Sequence, residues 1–329
     1  MQMNSGKTIK YLLSLAVAAL LLWFSLRGVD WTGFREVLLE CRWPMVIAAM
    51  GTGIIAFALR AFRWKMLLRP IDGGTSFLST YDAICIGNFA NFVFPRIGEF
   101  VRCGYITRRH GKATYDKVLG TVVLERSWDV LVMFAGILLF LSMASERFVG
   151  FFNEKIMSSL GEKFRGKIWI VALCAAVLLV AALWCVWKFR HRSAICGKIA
   201  GLIKGLSQGV SSCFRMDGKW KFFVSTLLIW TMYVLMAYFI ALALPGGTAR
   251  FGLEDALFLM LVGSLGWAVP APGGIGSFHF LVSLALMSVY SFTQESGMAY
   301  AVLSHESQAV TMILCGIAAY VTEVFRKNR

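Results

Sequence analysis

The chain has 329 residues, of which 58% are hydrophobic and only 16% are charged, while its formal net charge is +15. A soluble domain is about half apolar and about a quarter charged, so this composition excludes an ordinary soluble protein and indicates an integral membrane protein. The excess of Lys and Arg then belongs to loops, where it orients the spans and attracts anionic headgroups. We expect no nucleic-acid partner, because no basic stripe lies on a soluble domain.

The eight cysteines form no C-x-x-C pair and no regular framework. Most of them fall in apolar segments, where a buried free cysteine behaves as a small hydrophobic residue. We therefore expect no structural disulfide, no metal site and no cofactor.

Apolar segments recur along the chain, and a membrane span needs about 20 apolar residues. Six segments qualify as full spans, and three shorter apolar stretches flank two breaks rich in proline and glycine. The predicted spans are 9–26, 44–68, 118–144, 168–188, 219–243 and 299–324. The three shorter stretches are 76–94, 253–269 and 275–291.

The distribution of Lys and Arg predicts that both termini lie in the cytoplasm and that residues 1–329 form one domain of the cytoplasmic (inner) membrane. A linker of mixed charge, 145–167, precedes the fourth span. The linker 188–221 is strongly basic, and its apolar residues recur at helical spacing. This pattern predicts an amphipathic helix over 190–215 that lies on the cytoplasmic membrane surface.

Two helix breaks interrupt the apolar sequence. The first contains Pro95, Arg96 and Gly98, and the second contains Pro270, Pro272, Gly273, Gly274 and Gly276. Breaks at membrane depth are tolerated where the freed backbone lines an enclosed cavity, and paired breaks in two hydrophobic halves point to a transporter's binding site. Charge topology predicts that 76–110 is a re-entrant hairpin open to the cytoplasm and that 253–291 is one open to the exterior.

Each hairpin is followed by a span that carries polar residues, and these two spans align without a gap. Residues 121–129 run beside residues 300–308 in this alignment. The halves 76–144 and 253–324 therefore form a predicted inverted repeat. The predicted fold is all-α and polytopic, with about six full spans and two oppositely facing hairpins.

Charged residues in the span 118–144 form a first candidate site. Glu125 and Asp129 are four residues apart and Arg126 lies between them, so one helix face carries an acid–base cluster. At 1.5 Å per residue, Asp129 lies roughly 18 Å into the membrane, where ionisable groups usually face a cavity or each other. A structural ion pair and a functional group are both open interpretations.

Arginines near the cytoplasmic side are candidates for headgroup contacts, because a guanidinium group fits phosphate oxygens. Arg96 and Arg102 are the first choices, and Arg126 can also bind a headgroup. For Arg60 and Arg63, headgroup binding and snorkelling of the side chain to the interface are equally open interpretations. Amides such as Asn91 usually hold helices together, and beside a break they can also satisfy freed carbonyls.

The second half of the chain contains candidate histidines and a glycine-rich segment whose backbone could bind an anion. His305 is a candidate proton acceptor, with a packing histidine as the alternative. Gly273, Gly274 and Gly276 permit positive φ, and their amides could form an anion-accepting nest. The residues expected to tune charge or relay protons are Glu99, Glu125, Asp129, His279 and His305.

Four motifs, in order along the chain, carry a resemblance to a known family. They are Arg60-x-x-Arg63-Trp64, Asn91-x-x-x-Pro95-x-x-Gly98-Glu99-x-x-Arg102, Glu125-Arg126-x-x-Asp129 and Pro270-x-Pro272-Gly273-Gly274-x-Gly276. Together they resemble the transmembrane-region family of lysylphosphatidylglycerol synthases. The resemblance covers nearly the whole chain and implies translocation of lipids between leaflets, with aminoacylated phosphatidylglycerol or polyprenyl-phosphate sugars among the headgroups. Many relatives have Glu where this chain has His279, which bears on proton coupling and on headgroup charge preference.

We expect a lipid translocase rather than an enzyme, with an anionic phospholipid or a polyprenyl phosphate as its lipid partner. Lysyl-lipid synthesis is not expected, because the sequence contains no soluble aminoacyl-transferase domain. One alternative is a membrane enzyme acting on polyprenyl-phosphate sugars, with carboxylates from the exterior loop 27–43. These loop carboxylates are Asp30, Glu36 and Glu40. Another alternative is a non-catalytic partner of a lipid or glycan synthase.

Overall fold

The computed structural model describes residues 5–94, 97–110, 113–143, 188, 213–247, 251–269 and 271–327. The regular elements in these ranges are helices without any strand, which confirms the predicted all-α fold. They are α1 (Ser5–Leu26), α2 (Trp31–Leu39), α3 (Trp43–Leu68), α4 (Phe77–Val93), α5 (Gly98–His110), α6 (Tyr115–Met143), α7 (Lys219–Ala243), α8 (Leu253–Ala268), a 3-10 turn (Pro272–Gly274), α9 (Ser277–Tyr290) and α10 (Gln294–Lys327).

Three helices in the described part of the chain are long and apolar enough to cross a membrane, namely α3, α7 and α10. Helices α1 and α2 add a fourth span if they are taken together across their bend of 86°. The predicted linker 145–167 lies outside the described residues. The predicted span 168–188 and surface helix 190–215 also lie outside them, apart from residues 188 and 213–215.

Helix α2 (Trp31–Leu39) lies within the predicted exterior loop 27–43. Asp30 caps this helix, because its carboxylate accepts hydrogen bonds from the amides of Thr32 (3.1 Å) and Gly33 (3.2 Å). Asp is among the residues best suited to this position, since its oxygens satisfy amides that lack a partner within the helix. The helix is short, and its length falls below that of a span.

Helices α3 and α7 form a central antiparallel pair. The amide of Arg42, just before α3, donates to the carbonyl of Ala243 at the end of α7 (2.8 Å). At the other end of the pair, Arg63 donates to the hydroxyl of Thr226 near the start of α7 (3.3 Å). The apolar core divides accordingly, with α8 and α9 at the first end, α4, α5 and α6 at the second, and α10 contributing to both. A third apolar cluster joins α6, α7, α8 and α9.

The neighbours of the helices match between α3–α6 and α7–α10. Helix α3 packs on α4, α4 on α5 and α5 on α6, while α7 packs on α8, α8 on α9 and α9 on α10. Across the molecule, α4 packs against α10 and α6 packs against α8. Each four-helix set therefore has the same order of contacts, and its first helix lies antiparallel to the first helix of the other set.

Glycines let the two helices of each hairpin approach closely. A Cβ atom added to Gly98, at the start of α5, would fall on the carbonyl oxygen of Gly87 in α4. In the second hairpin, a Cβ added to Gly266 of α8 would lie 2.7 Å from the Cα of Phe278 in α9. Small residues at such crossings allow backbones to touch, so both pairs of helices need glycine there.

The tip of the second hairpin packs against the first hairpin and against α1. Gly273, with φ of 58°, lies against the ring and carbonyl of Phe92 near the end of α4. Gly276, with φ of 83°, lies against the backbone of Ala18 in α1. Left-handed backbone and close contact together explain why these positions hold glycine.

Candidate functional site

Three buried arginines surround one buried glutamate, and we call this group the arginine cluster. Glu125 of α6 is completely buried, and its Oε1 lies 3.4 Å from Nη2 of Arg60 and 3.3 Å from Nη2 of Arg63. Arg102 of α5 donates from Nη1 to the other oxygen, Oε2, at 2.8 Å. One carboxylate on α6 thus joins α3, α5 and α6.

The sequence spacing explains how the arginines converge. Arg60 and Arg63 are three residues apart, so they lie on one face of α3. Both are buried, and both contact buried carboxylates, so they do not snorkel to the interface. The guanidinium of Arg102 lies 4.7 Å above the ring of Trp64, a geometry in which the ring face attracts a cation.

The arginine cluster carries more positive charge than its acidic partners neutralise. Arg63 also pairs with Asp129 (2.7 Å), so three arginines face two carboxylates and leave a formal charge of +1. Among the described residues, Nε of each of these arginines and Nη2 of Arg102 have no hydrogen-bond partner. Buried donors without partners are costly, so the cluster favours an added acceptor or anion.

Beside the cluster, Arg126 and Glu99 form a more open ion pair. Arg126 donates to Glu99 Oε1 at 2.7 Å and lies 3.6 Å from Asp129, and its side chain is 43% exposed. Asn91 donates to the other Glu99 oxygen (3.2 Å) and accepts from the amide of Gly98 (2.6 Å). Asn91 thus links α4 to α5, and the backbone group that it satisfies is the Gly98 amide at the first turn of α5.

A cavity of about 400 Å³ opens between the two four-helix sets. Its lining combines polar side chains with apolar and aromatic ones, so the cavity is amphipathic. The polar lining residues are Arg60, Asn88, Asn91, Arg126, Asp129, Ser304, Gln308 and Thr311. The apolar lining residues include Met133, Trp230, Met236, Leu259, Met260 and Trp267.

A second polar group lies next to the cavity-lining residue Trp267, and we call it the histidine cluster: His279, His305 and Glu306. His305 Nδ1 lies 2.8 Å from Glu306 Oε1, and His279 Nε2 lies 3.9 Å from the same oxygen. His305 Nε2 lies 2.7 Å from the carbonyl oxygen of Gly273. The ring of His305 stacks on Trp267, which lines the cavity, at a centroid distance of 5.3 Å.

The glycine-rich turn does not offer all of its amides to a ligand. The amide of Gly274 donates to the carbonyl of Ala271 (3.1 Å), so this member of the predicted anion nest is already used. The Ser277 hydroxyl donates to the carbonyls of Gly266 (2.9 Å) and Gly274 (3.2 Å), which ties the turn to α8. The turn therefore serves packing and positions the Gly273 carbonyl for His305.

The structure places Arg60, Arg63, Arg102 and Glu125 in the arginine cluster and His279 and His305 in the histidine cluster. Asn91, Glu99, Arg126 and Asp129 lie beside the arginine cluster, while Pro95, Arg96 and Pro270 lie outside the described residues. Sequence reasoning left three contributors out of the predicted site. Thr226 accepts from Arg63, Gly87 permits the close approach of α5, and Glu306 joins the two histidines. Only Glu306 had a local signal, because an acidic residue beside His305 inside an apolar helix is unusual.

The long apolar helices and the buried charges define a multi-pass α-helical membrane protein. The chain belongs to the family described as the lysylphosphatidylglycerol synthase TM region, whose model matches residues 11–316. The resemblance carried by the four sequence motifs is thereby confirmed.

Two relatives are similar along most of this chain. The glycosyltransferase AglD of Haloferax volcanii is 23% identical over 321 residues, which cover 89% of this chain and 51% of that protein. The UPF0104 membrane protein PH1989 of Pyrococcus horikoshii is 24% identical over 308 residues, which cover 85% of this chain and 87% of that protein. The chain thus spans about half the length of the first relative. No solved structure matches the chain.

Proposed function

We propose that this protein is a flippase-like lipid translocase of the cytoplasmic membrane. Its substrate is a lipid with an anionic or aminoacylated phosphate headgroup, either a phospholipid or a polyprenyl phosphate. The observation that carries the proposal is the amphipathic cavity, which is lined by Arg60, Arg126 and two amides together with Met, Trp and Leu side chains. Its volume falls within the range of about 300–1,000 Å³ that is usual for ligand pockets.

The packing of the helices supports an inverted repeat built on α3–α6 and α7–α10, which extends the predicted halves 76–144 and 253–324 by one helix each. The first helices of the two sets are antiparallel, and the contacts around them recur in the same order. With both termini in the cytoplasm, α4–α5 enters from the cytoplasmic side and α8–α9 from the exterior. Substrate sites in such transporters lie at the interface between repeats, which is where the cavity lies.

The ion pair of Arg126 and Glu99 is the part of the site that can exchange partners. Arg126 is partly exposed in the cavity, whereas Arg60, Arg63 and Arg102 are held by buried carboxylates. A phosphate headgroup competes with Glu99 for Arg126, because a guanidinium binds phosphate and carboxylate in the same forked geometry. Glu99 and Asp129 then keep the site from retaining the headgroup too tightly.

The direct test is the movement of a labelled anionic lipid between leaflets of proteoliposomes. Arg126→Ala should slow this movement at least about tenfold, because one lost charge-assisted contact corresponds to about 1.5–3 kcal/mol. The matched control is Arg108→Ala on α5, which removes the same charge from an exposed position away from the cavity lining. Equal rates for Arg126→Ala and the unmodified protein would reject the assignment.

An enzyme acting on polyprenyl-phosphate sugars is a second candidate, because one relative is named a glycosyltransferase. The matched chain spans about half of that relative, and the loop carboxylate Asp30 caps α2 through two amide hydrogen bonds. Covalent turnover of a lipid-linked sugar by the purified protein would favour the enzyme. Redistribution between leaflets without covalent change favours the translocase.

A non-catalytic partner of a lipid or glycan synthase is a third candidate. Its basic segment 188–221 would form the docking face, and that segment lies mostly outside the described residues. Co-purification of a synthase whose binding disappears when these lysines and arginines are replaced would favour this role. A protein that moves lipid alone in proteoliposomes does not need such a partner for transport.

A further inference from the structure

The histidine cluster has the composition and spacing of a metal site. The ligand atoms of His279, His305 and Glu306 all lie within 4.8 Å of one another. A tetrahedral zinc ion with bonds of about 2.0–2.1 Å separates its ligands by about 3.3 Å, so modest side-chain rotations would bring the three atoms into place. Glu306 is half exposed, and its carboxylate can shift without disturbing the core.

Hydrogen bonding fixes which nitrogen of His305 faces the cluster. The Gly273 carbonyl can only accept, so Nε2 of His305 carries the ring hydrogen at this contact of 2.7 Å. In the neutral ring, Nδ1 then presents its lone pair to Glu306 Oε1 at 2.8 Å. The Nδ1 lone pair and the carboxylate oxygen, both hydrogen-bond acceptors, repel each other at this distance, so a proton or a metal ion belongs between them.

The second histidine favours a metal ion over a proton. A proton joins two atoms, whereas a metal ion takes several ligands, and His279 Nε2 offers a third nitrogen or oxygen ligand 3.9 Å from the same glutamate oxygen. The ring centroids of the two histidines are 4.7 Å apart. His279 is buried, with only 4% of its surface exposed, and its Nδ1 has no hydrogen-bond partner among the described residues.

The environment of His305 also resembles the surroundings of metal-binding histidines. Such a histidine almost always donates its other ring N–H to a carboxylate, a backbone carbonyl or water, which orients the ring and fixes the tautomer. Here the Gly273 carbonyl accepts that hydrogen, and Trp267 stacks on the ring. The glycine-rich turn thereby has a role beyond packing, because it sets the direction of a ligand.

We propose that His279, His305 and Glu306 form a site for a divalent transition-metal ion, with Zn²⁺ as the probe. The three protein ligands leave a fourth position for water or another oxygen ligand. Cysteine spacing alone led to the expectation that no metal site is present. The ligands proposed here come from α9 and α10, and only the fold brings them together.

The test uses the purified full chain in detergent, carrying an affinity tag without histidine and stripped of metal by a chelator. Calorimetric titration with Zn²⁺ should show one bound equivalent in the unmodified protein. Glu306→Gln and His279→Ala should each weaken binding at least about tenfold, since even the loss of a group that supports a ligand costs 10–100-fold in affinity. Titration with Co²⁺ adds an absorption spectrum that distinguishes nitrogen and oxygen ligands from cysteine thiolates.

The matched control is His110→Ala, because His110 also lies near a carboxylate, at 3.7 Å from Asp72, but outside the histidine cluster. This variant should bind Zn²⁺ like the unmodified protein, and Zn²⁺ should raise the unfolding temperature of both. Glu306→Gln should fold normally and show no such rise.

Absence of a one-equivalent Zn²⁺ site in the unmodified protein would overturn the proposal and leave a shared proton as the positive species. Unchanged binding in Glu306→Gln and His279→Ala would also overturn it. The test requires no lipid movement, so its failure is separate from failure of the proposed translocase. Slow lipid movement with intact Zn²⁺ binding would reject only the transport function.

Discussion

The two hairpin-containing halves share an architecture but differ in how they use polar residues. In the first half, α3 and α5 bring three arginines onto one buried carboxylate, Glu125 of α6. In the second half, α9 and α10 bring two histidines and a half-exposed glutamate to a backbone carbonyl. The first arrangement has fixed charges, whereas the second consists of groups whose charge depends on a proton or a metal ion.

This difference separates features that both halves need from features that only one uses. Both hairpins close at a glycine, Gly98 in the first and Gly266 in the second, so helix approach is a common requirement. Among the described residues of the second half, the arginine cluster has no counterpart, and Ser304 occupies the position aligned with Glu125. Substitutions at matched positions can therefore test which features belong to the architecture and which belong to the site.

The largest effect is expected for Glu125→Gln. Without this carboxylate, Arg60 and Arg102 lose their acidic partner in the arginine cluster and Arg63 keeps only the half-buried Asp129, and breaking a buried ion pair costs about 3–5 kcal/mol. The unfolding midpoint in detergent should fall sharply. Ser304→Ala at the aligned position should cost less than about 1 kcal/mol. Similar losses for both variants would remove the energetic difference between the halves.

Gly98→Ala should lower stability by about 2–3 kcal/mol, because the added methyl group would displace the Gly87 carbonyl. Gly266→Ala in the other half should have a comparable cost, since its Cβ would meet Phe278. Gly104→Ala on α5 is the control, because no atom lies within 4 Å of its added Cβ. Thermal unfolding of the three variants checks whether close approach is shared by the halves.

Asn91→Asp should cost about 1–2 kcal/mol and more than Asn91→Ala. The isosteric carboxylate can still accept from the Gly98 amide, but its second oxygen replaces the donor that now bonds Glu99. Two carboxylates would then face each other at the distance of a hydrogen bond. If Asn91→Asp proved as stable as the unmodified protein, the Glu99 contact would have no structural role.

The smallest effect is expected for Arg326→Ala, at about 1 kcal/mol or less. Arg326 of α10 pairs with Asp82 of α4 at 2.7 Å and is one-third exposed. The corresponding contact between α8 and α6 is apolar, with Leu261 beside Gly136. High salt should reduce the difference between Arg326→Ala and the unmodified protein, because ions screen exposed charges. A difference that persists unchanged at high salt would indicate a packing role.

The positions of the helices were readable from the sequence, because long apolar segments and their breaks are local properties. The predicted span 44–68 and α3 (Trp43–Leu68) begin within one residue of each other. Helix α2 was missed, since its Asp30 cap is a weak signal beside the composition of a short loop. The spacing of Glu125, Arg126 and Asp129 predicted a cluster on one face of α6.

The partners of those charges were not readable, because they come from distant parts of the chain. Arg63 contacts Thr226, and the Glu125 carboxylate selects Arg102 only after α5 folds back on α6. Residue types indicate which groups need partners, and they do not indicate which partners the fold supplies. Gly87 has the same limitation, since its importance depends on an atom of Gly98 that lies close only in the folded hairpin.

The contact between Gly273 and Phe92 links the two halves through their hairpin tips. A displacement of either tip would change the space available to the other, so a movement of one half would require a response from its counterpart. The Gly273 carbonyl also holds His305, which extends this dependence to the histidine cluster. A metal ion bound at the proposed site would therefore be linked thermodynamically to the position of the first hairpin, and each would bias the other by the same free energy.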